Sequence, residues 1–126
     1  MKPHEEWLFK AENDLESAKV LLESKKQLFD IIVYHSQQCA EKSLKGFLAF
    51  HNRKIEKIHN LVVLIKKCEE INADFEKIRE QVIFLNPFST IYRYPDNELL
   101  PSLTDTHSSI TKAEEILVFV KKLVVS

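Results

Sequence analysis

Gly46 is the only glycine in 126 residues, and no other feature of the sequence limits the fold as much. Glycine sits at positive φ without steric cost, and the tight turns that join antiparallel strands depend on such positions. A chain with one glycine is poorly supplied for an all-β fold. The same shortage excludes a Gly-rich phosphate loop or a dinucleotide fingerprint, each of which needs several glycines in one short turn. Any nucleotide binding must then use side chains or a helix N-terminus. The length suits one domain, residues 1–126, burying about two thirds of its unfolded surface.

Hydrophobic spacing supplies the alternative to strands. After Pro3, which suits the first turn of a helix, Trp7, Ala11, Leu15, Ala18 and Leu22 recur at steps of three and four, predicting a first helix over about 4–24. A second long helix is expected from about Leu28 to His51, with Phe29, Ile32, Val33, Ser36, Ala40, Leu44, Phe47 and Leu48 on one side of a helical wheel. A charged link, Asn52 to Lys57, leads to a third helix from about His59 to Ile71, with Leu61, Leu64, Ile65 and Cys68 as its stripe. Asn72 or Asp74 can cap a fourth, carrying Phe75, Ile78, Val82 and Leu85 up to Asn86-Pro87. Residues 87–106 hold Pro87, Pro95 and Pro101 and show no sustained period, which reads as a long loop. A last helix, about 106–124 with Thr106 or Ser108 as cap, carries Ile110, Ala113, Ile116, Leu117 and Val120. The expectation is an all-α, up-and-down bundle of about five helices with two long antiparallel central ones.

Lys and Arg number 18 against 19 Asp and Glu, a net charge of −1, so nothing draws the whole chain to nucleic acid or anionic membrane. No apolar run approaches the roughly 20 residues of a membrane span, and the charged opening, Met1 to Glu6, does not read as a signal peptide. Cys39 and Cys68 lack metal-ligand spacing and fall in predicted helices, as buried thiols in a reduced, cytoplasmic compartment would. The five histidines, His4, His35, His51, His59 and His107, form no i,i+4 pair, so neither a metal nor a cofactor is expected.

Away from its core stripe the second helix carries Tyr34, Gln38, Glu41, Lys42 and Lys45, with His35 at their margin. Such a face is either plainly solvated or, since Ile31 and Ala49 share it, part of a subunit interface or polar cleft. Arg53 precedes His59 in the link to the third helix. Arginine can hold a phosphate in a bidentate fork and histidine can move a proton near neutral pH, the two roles a metal-independent ribonuclease needs; equally, His59 can cap a helix and Arg53 can be solvated. In Tyr92-Arg93-Tyr94-Pro95-Asp96 an arginine between two tyrosines can stack a base and hold a phosphate, or pin the loop to the bundle.

Three of these segments, taken together, resemble the HEPN domain family, the nucleotide-binding domain of higher eukaryotes and prokaryotes. They are His35-Ser36-Gln37-Gln38-Cys39-Ala40-Glu41-Lys42-Ser43-Leu44-Lys45, then Ile58-His59-Asn60-Leu61, then Arg93-Tyr94-Pro95, in the family's order. The opening with Trp7, Ala11, Asp14-Leu15 and Ala18 is similar too. The resemblance implies a homodimeric bundle that works with a separately encoded minimal nucleotidyltransferase, in many cases as a toxin and antitoxin. It implies one of two activities. The first is nucleotide or RNA binding in a groove lined by Tyr34, His35, Gln38, Glu41, Lys42, Lys45, His59 and Arg93. The second is metal-independent RNA cleavage by Arg53 and His59, in a pattern from which Lys54, directly after the arginine, departs. A purely structural partner with a filled groove is a third reading.

Overall fold

A computed structural model describes residues 1–95 and 98–125. Among them are five α-helices and no strand: α1 (Pro3–Leu22), α2 (Phe29–Phe50), α3 (Leu61–Ile71), α4 (Arg79–Leu85) and α5 (Leu103–Leu123). Short 3₁₀ turns precede and follow α4, at Ala73–Ile78 and Asn86–Ser89.

The helix starts follow from local chemistry. Pro3 opens α1 with Glu5 and Glu6 in its first turn, and the Lys2 backbone N–H donates to the Glu5 carboxylate at 2.9 Å. Asn60, not His59, caps α3, its side chain accepting from the backbone of Val62 and Val63. The backbone N–H of Leu61 donates to Asn86 Oδ1 at 2.7 Å, which ties the start of α3 to the end of α4. Asn72 caps the 3₁₀ turn through the Asp74 N–H, so the expected fourth helix begins as a tighter coil. Asn52 turns the chain out of α2 at φ 57, a left-handed conformation that asparagine tolerates.

The expected loop over 87–106 is shorter than its prolines suggest. Ser102 caps α5 by accepting from the Asp105 N–H at 3.0 Å, while Thr106 is buried and donates its hydroxyl to the Ser102 carbonyl. The helix therefore starts one turn before Thr106, and Pro101 stands buried just ahead of it.

α2 is the centre of the bundle, packed against α1 along its length and against α5, α3 and α4 on other sides. Small residues bring the long helices together: Ala11, Ala18, Ala40 and Ala113 are fully buried. Ser109 Oγ donates to the Thr106 carbonyl and lies 3.1 Å from Ser36 Oγ, so polar atoms inside the α2–α5 seam are satisfied. Phe47, Phe75 and Phe119 form an edge-to-face chain with centroids 4.5 and 5.0 Å apart, linking α2, the 3₁₀ turn and α5. No helix among the described residues is long and apolar enough to cross a membrane.

Candidate functional site

Tyr34, Gln38, Glu41 and Lys45 recur along α2 at steps of four, three and four, which stacks them in one stripe. At the Tyr34 end the Arg93 guanidinium lies over the phenol ring, 4.3 Å from its centroid, well within cation–π range. Arg93 is delivered there by the turn after α4. Its backbone N–H donates to the Thr90 carbonyl at 3.0 Å, and Tyr92 stacks on Phe88 at 6.0 Å. Tyr92 thus pins the loop, Arg93 reaches α2 and Tyr94 remains exposed. Asp96 of the same motif lies outside the described residues.

The middle of the stripe is not the plainly solvated face that was one of its two readings, because Glu41 and Lys45 are both buried, with side chains 4% and 5% exposed. The chain leaving α2 folds back beside it, and Trp7 of α1 covers the far end. Lys45 Nζ donates to Glu41 Oε2 at 3.1 Å and lies over the Trp7 indole, 5.6 Å from its centroid. His59 Nδ1 sits 3.1 and 3.2 Å from the two Glu41 oxygens. A carboxylate accepts only, so Nδ1 carries the proton, and with the ring 70% exposed Nε2 is left to solvent. Gln38 donates to Gln37 Oε1 at 2.8 Å, and Gln37, fully buried, donates to the His59 carbonyl at 3.3 Å. Taking an ion pair out of water costs most of what its attraction returns, so Glu41–Lys45 does little for stability. What it does is fix the imidazole.

His35 and Lys42 turn away from that stripe toward α1. His35 Nδ1 donates to Asp14 Oδ1 at 2.9 Å and Lys42 Nζ to Asp14 Oδ2 at 2.6 Å. Burial raises the Asp14 carboxyl, but these two hydrogen bonds outweigh it and hold the group below its ordinary range. The eight expected ligand-binding residues therefore divide into a stripe, in which Tyr34, Gln38, His59 and Arg93 reach the surface over the buried Glu41 and Lys45, and a pair, His35 and Lys42, engaged by Asp14.

Arg53 and His59 stand at opposite ends of the returning link. Arg53 lines a cleft of about 220 Å³ with Leu48, Lys54, Glu56, Lys67 and Glu70, while His59 is held on Glu41 and is not part of that cleft. Burial pushes the Cys39 and Cys68 thiols up to about 12, so neither is a nucleophile at neutral pH. Among the described residues no three His, Cys, Asp or Glu side chains gather into a metal-binding group.

The spacing argument missed the roles of Asp14 and Gln37, and it placed Trp7 on the apolar stripe of α1 without its contact to Lys45. Asp14 stands three residues after Ala11 and four before Ala18, and Gln37 four after Val33 and three before Ala40, so each is a polar residue on an apolar stripe. That interruption was the available signal.

The HEPN domain profile matches residues 4–123, nearly all of this helical chain. The chain belongs to the HEPN domain family. An archaeal HEPN homologue of known structure is 30% identical to it, covering 99% of this chain and 100% of its own, with a TM-score of 0.74. A Thermus thermophilus protein superposes with a TM-score of 0.77 at 23% identity, covering 97% of this chain and 98% of its own, and attests the fold alone. No curated protein matches the chain significantly. The Glu41–Lys45–His59 network and Arg93 thus lie inside the HEPN-matched region.

Proposed function

We propose that this HEPN chain is a nucleotide- or RNA-binding module, homodimeric and cytoplasmic, that works with a separately encoded minimal nucleotidyltransferase, as one half of a toxin–antitoxin pair. The observation that carries the binding role is Arg93 stacked on Tyr34 beside an exposed imidazole held by a buried carboxylate. Seven residues of α2 separate Tyr34 from Glu41, about 10 Å at the helical rise. That distance suits a base or phosphate at Arg93 and a second polar group of the same ligand at His59. Calorimetry with adenosine and guanosine nucleotides and short RNA tests it. Saturable binding is expected, weakened about tenfold by Arg93→Ala, the loss of one stacked cation contact. Equal binding by wild type and by Arg93→Ala with His59→Ala rules the groove out.

The partnership and the dimer rest on the family relationship and on Ile31, 41% exposed on α2. Light scattering that shows a monomer at micromolar concentration counts against the dimer, and failure to copurify with a minimal nucleotidyltransferase counts against the partner.

One observation favours a catalytic reading. An imidazole oriented by a carboxylate through Nδ1, with Nε2 free, is the arrangement of a general base. Arg53 is the cation the family spacing pairs with it, in metal-independent cleavage where a 2′-hydroxyl attacks the adjacent phosphorus. RNA cleavage in EDTA that falls roughly a hundredfold in His59→Ala, and also in Arg53→Ala, establishes this reading; no cleavage by wild type leaves the binding module.

A further inference from the structure

The Glu41–Lys45 pair joins two partly exposed rings, and only His59 has so far been given a role. The other is Trp7, the only tryptophan in the chain. Its indole receives the Lys45 ammonium and also walls a cleft of about 500 Å³, open to solvent, with Met1, Glu6, Phe9 and Lys10. Among the described residues Trp7 takes part in no aromatic pair, unlike Tyr92 or Phe75. The buried Lys45 ammonium, held by Glu41, covers one side of the indole, and the half-buried ring meets the open cleft beside the exposed Lys10, the composition of a base-stacking site: an aromatic surface for the base and one solvent-facing ammonium for its phosphate. Glu6 is the one carboxylate lining it.

Eleven residues of α2 separate Tyr34 from Lys45, about 16 Å. A mononucleotide does not span that distance. We propose that Trp7 is a second base-stacking platform, and that the ligand of this surface is a single-stranded oligonucleotide of about four residues or more, running from Arg93 and Tyr34 past His59 to Trp7. The proposal rests on the reading of the α2 stripe as a nucleotide site. It deepens that reading by requiring a strand.

Titration of the full-length protein with AMP and with tetra-adenylates of ribose and deoxyribose, read both by calorimetry and by Trp7 emission, tests it. AMP is expected to bind at the Arg93 end with emission unchanged. At least one tetramer is expected to bind roughly tenfold more tightly and to quench Trp7. Trp7→Leu should abolish the tetramer's advantage without altering AMP binding, and Trp7→Phe, which keeps a stacking ring, should restore most of it. Should AMP bind while neither tetramer binds more tightly or quenches Trp7, the platform is refuted and the Arg93 site stands. Absence of binding by all three ligands removes both.

Discussion

Asp14 shows how a single residue can be plain in the sequence while its partners are not. It was visible as an acid on an apolar stripe, but its two partners lie on another helix, His35 at 2.9 Å and Lys42 at 2.6 Å. Because the folded protein holds the carboxyl below its ordinary value, Asp14 contributes stability above about pH 4 and loses it as the pH falls through the lower, folded value. Asp14→Asn should therefore cost about 2 kcal/mol in urea unfolding at pH 7. The gap between the two proteins should narrow steadily below pH 4, and a gap independent of pH would mean that the ion pairs contribute nothing. The thiols give a second expectation at this scale. Buried, with their ionisation pushed up to about 12, Cys39 and Cys68 should resist an aromatic disulfide reagent in the native protein and react together on unfolding.

At the scale of the element, α2 was legible in extent but only half legible in face. Periodicity located it within a residue or two, and it placed Ile32, Ala40, Leu44 and Phe47 in the core, where they are. It could not show that a helix packed by neighbours on several sides also buries Glu41 and Lys45, since a wheel knows only the helix it is drawn for. The crossing of α1 over α2 at Gly46 is a further case. A Cβ there would come within 3.1 Å of Leu8 Cδ2 and 3.4 Å of Trp7 Cβ, so the glycine serves a close approach rather than a turn. Gly46→Val should cost about 2 kcal/mol or more by overpacking and shift Trp7 emission in the unliganded protein. An unchanged spectrum and melting temperature would show that α1 yields freely. Asn60→Ala, which removes the cap of α3, should cost about 1 kcal/mol in the same assay.

For the whole molecule the measure is cooperativity. One contiguous core joins all five helices, with Phe75 fully buried between Phe47 and Phe119. Helical circular dichroism and Trp7 fluorescence should then report one coincident unfolding transition, which Phe75→Ala lowers by about 3–5 kcal/mol; separate transitions would mean that α1 unfolds on its own. The sequence by itself determined the helical class, the order and approximate bounds of the helices, most of the core and the family. The class, the bounds and the core depend on local spacing, on caps and on the scarcity of glycine, all of which act over a few residues, while the family rests on motifs that resemble its own. The sequence also put Tyr34, Gln38, Glu41 and Lys45 on one stripe, because that too is a matter of helical period. Only the tertiary structure decided which of them are buried, that Asp14 takes His35 and Lys42 away from the stripe, that Glu41 holds His59, that Arg93 crosses to Tyr34, and that Arg53 faces a different cleft. Each of those pairings closes a gap of eighteen residues or more in sequence, or depends on the path of a link without periodicity, and there the packing of the bundle, rather than any local preference, sets which side chains meet.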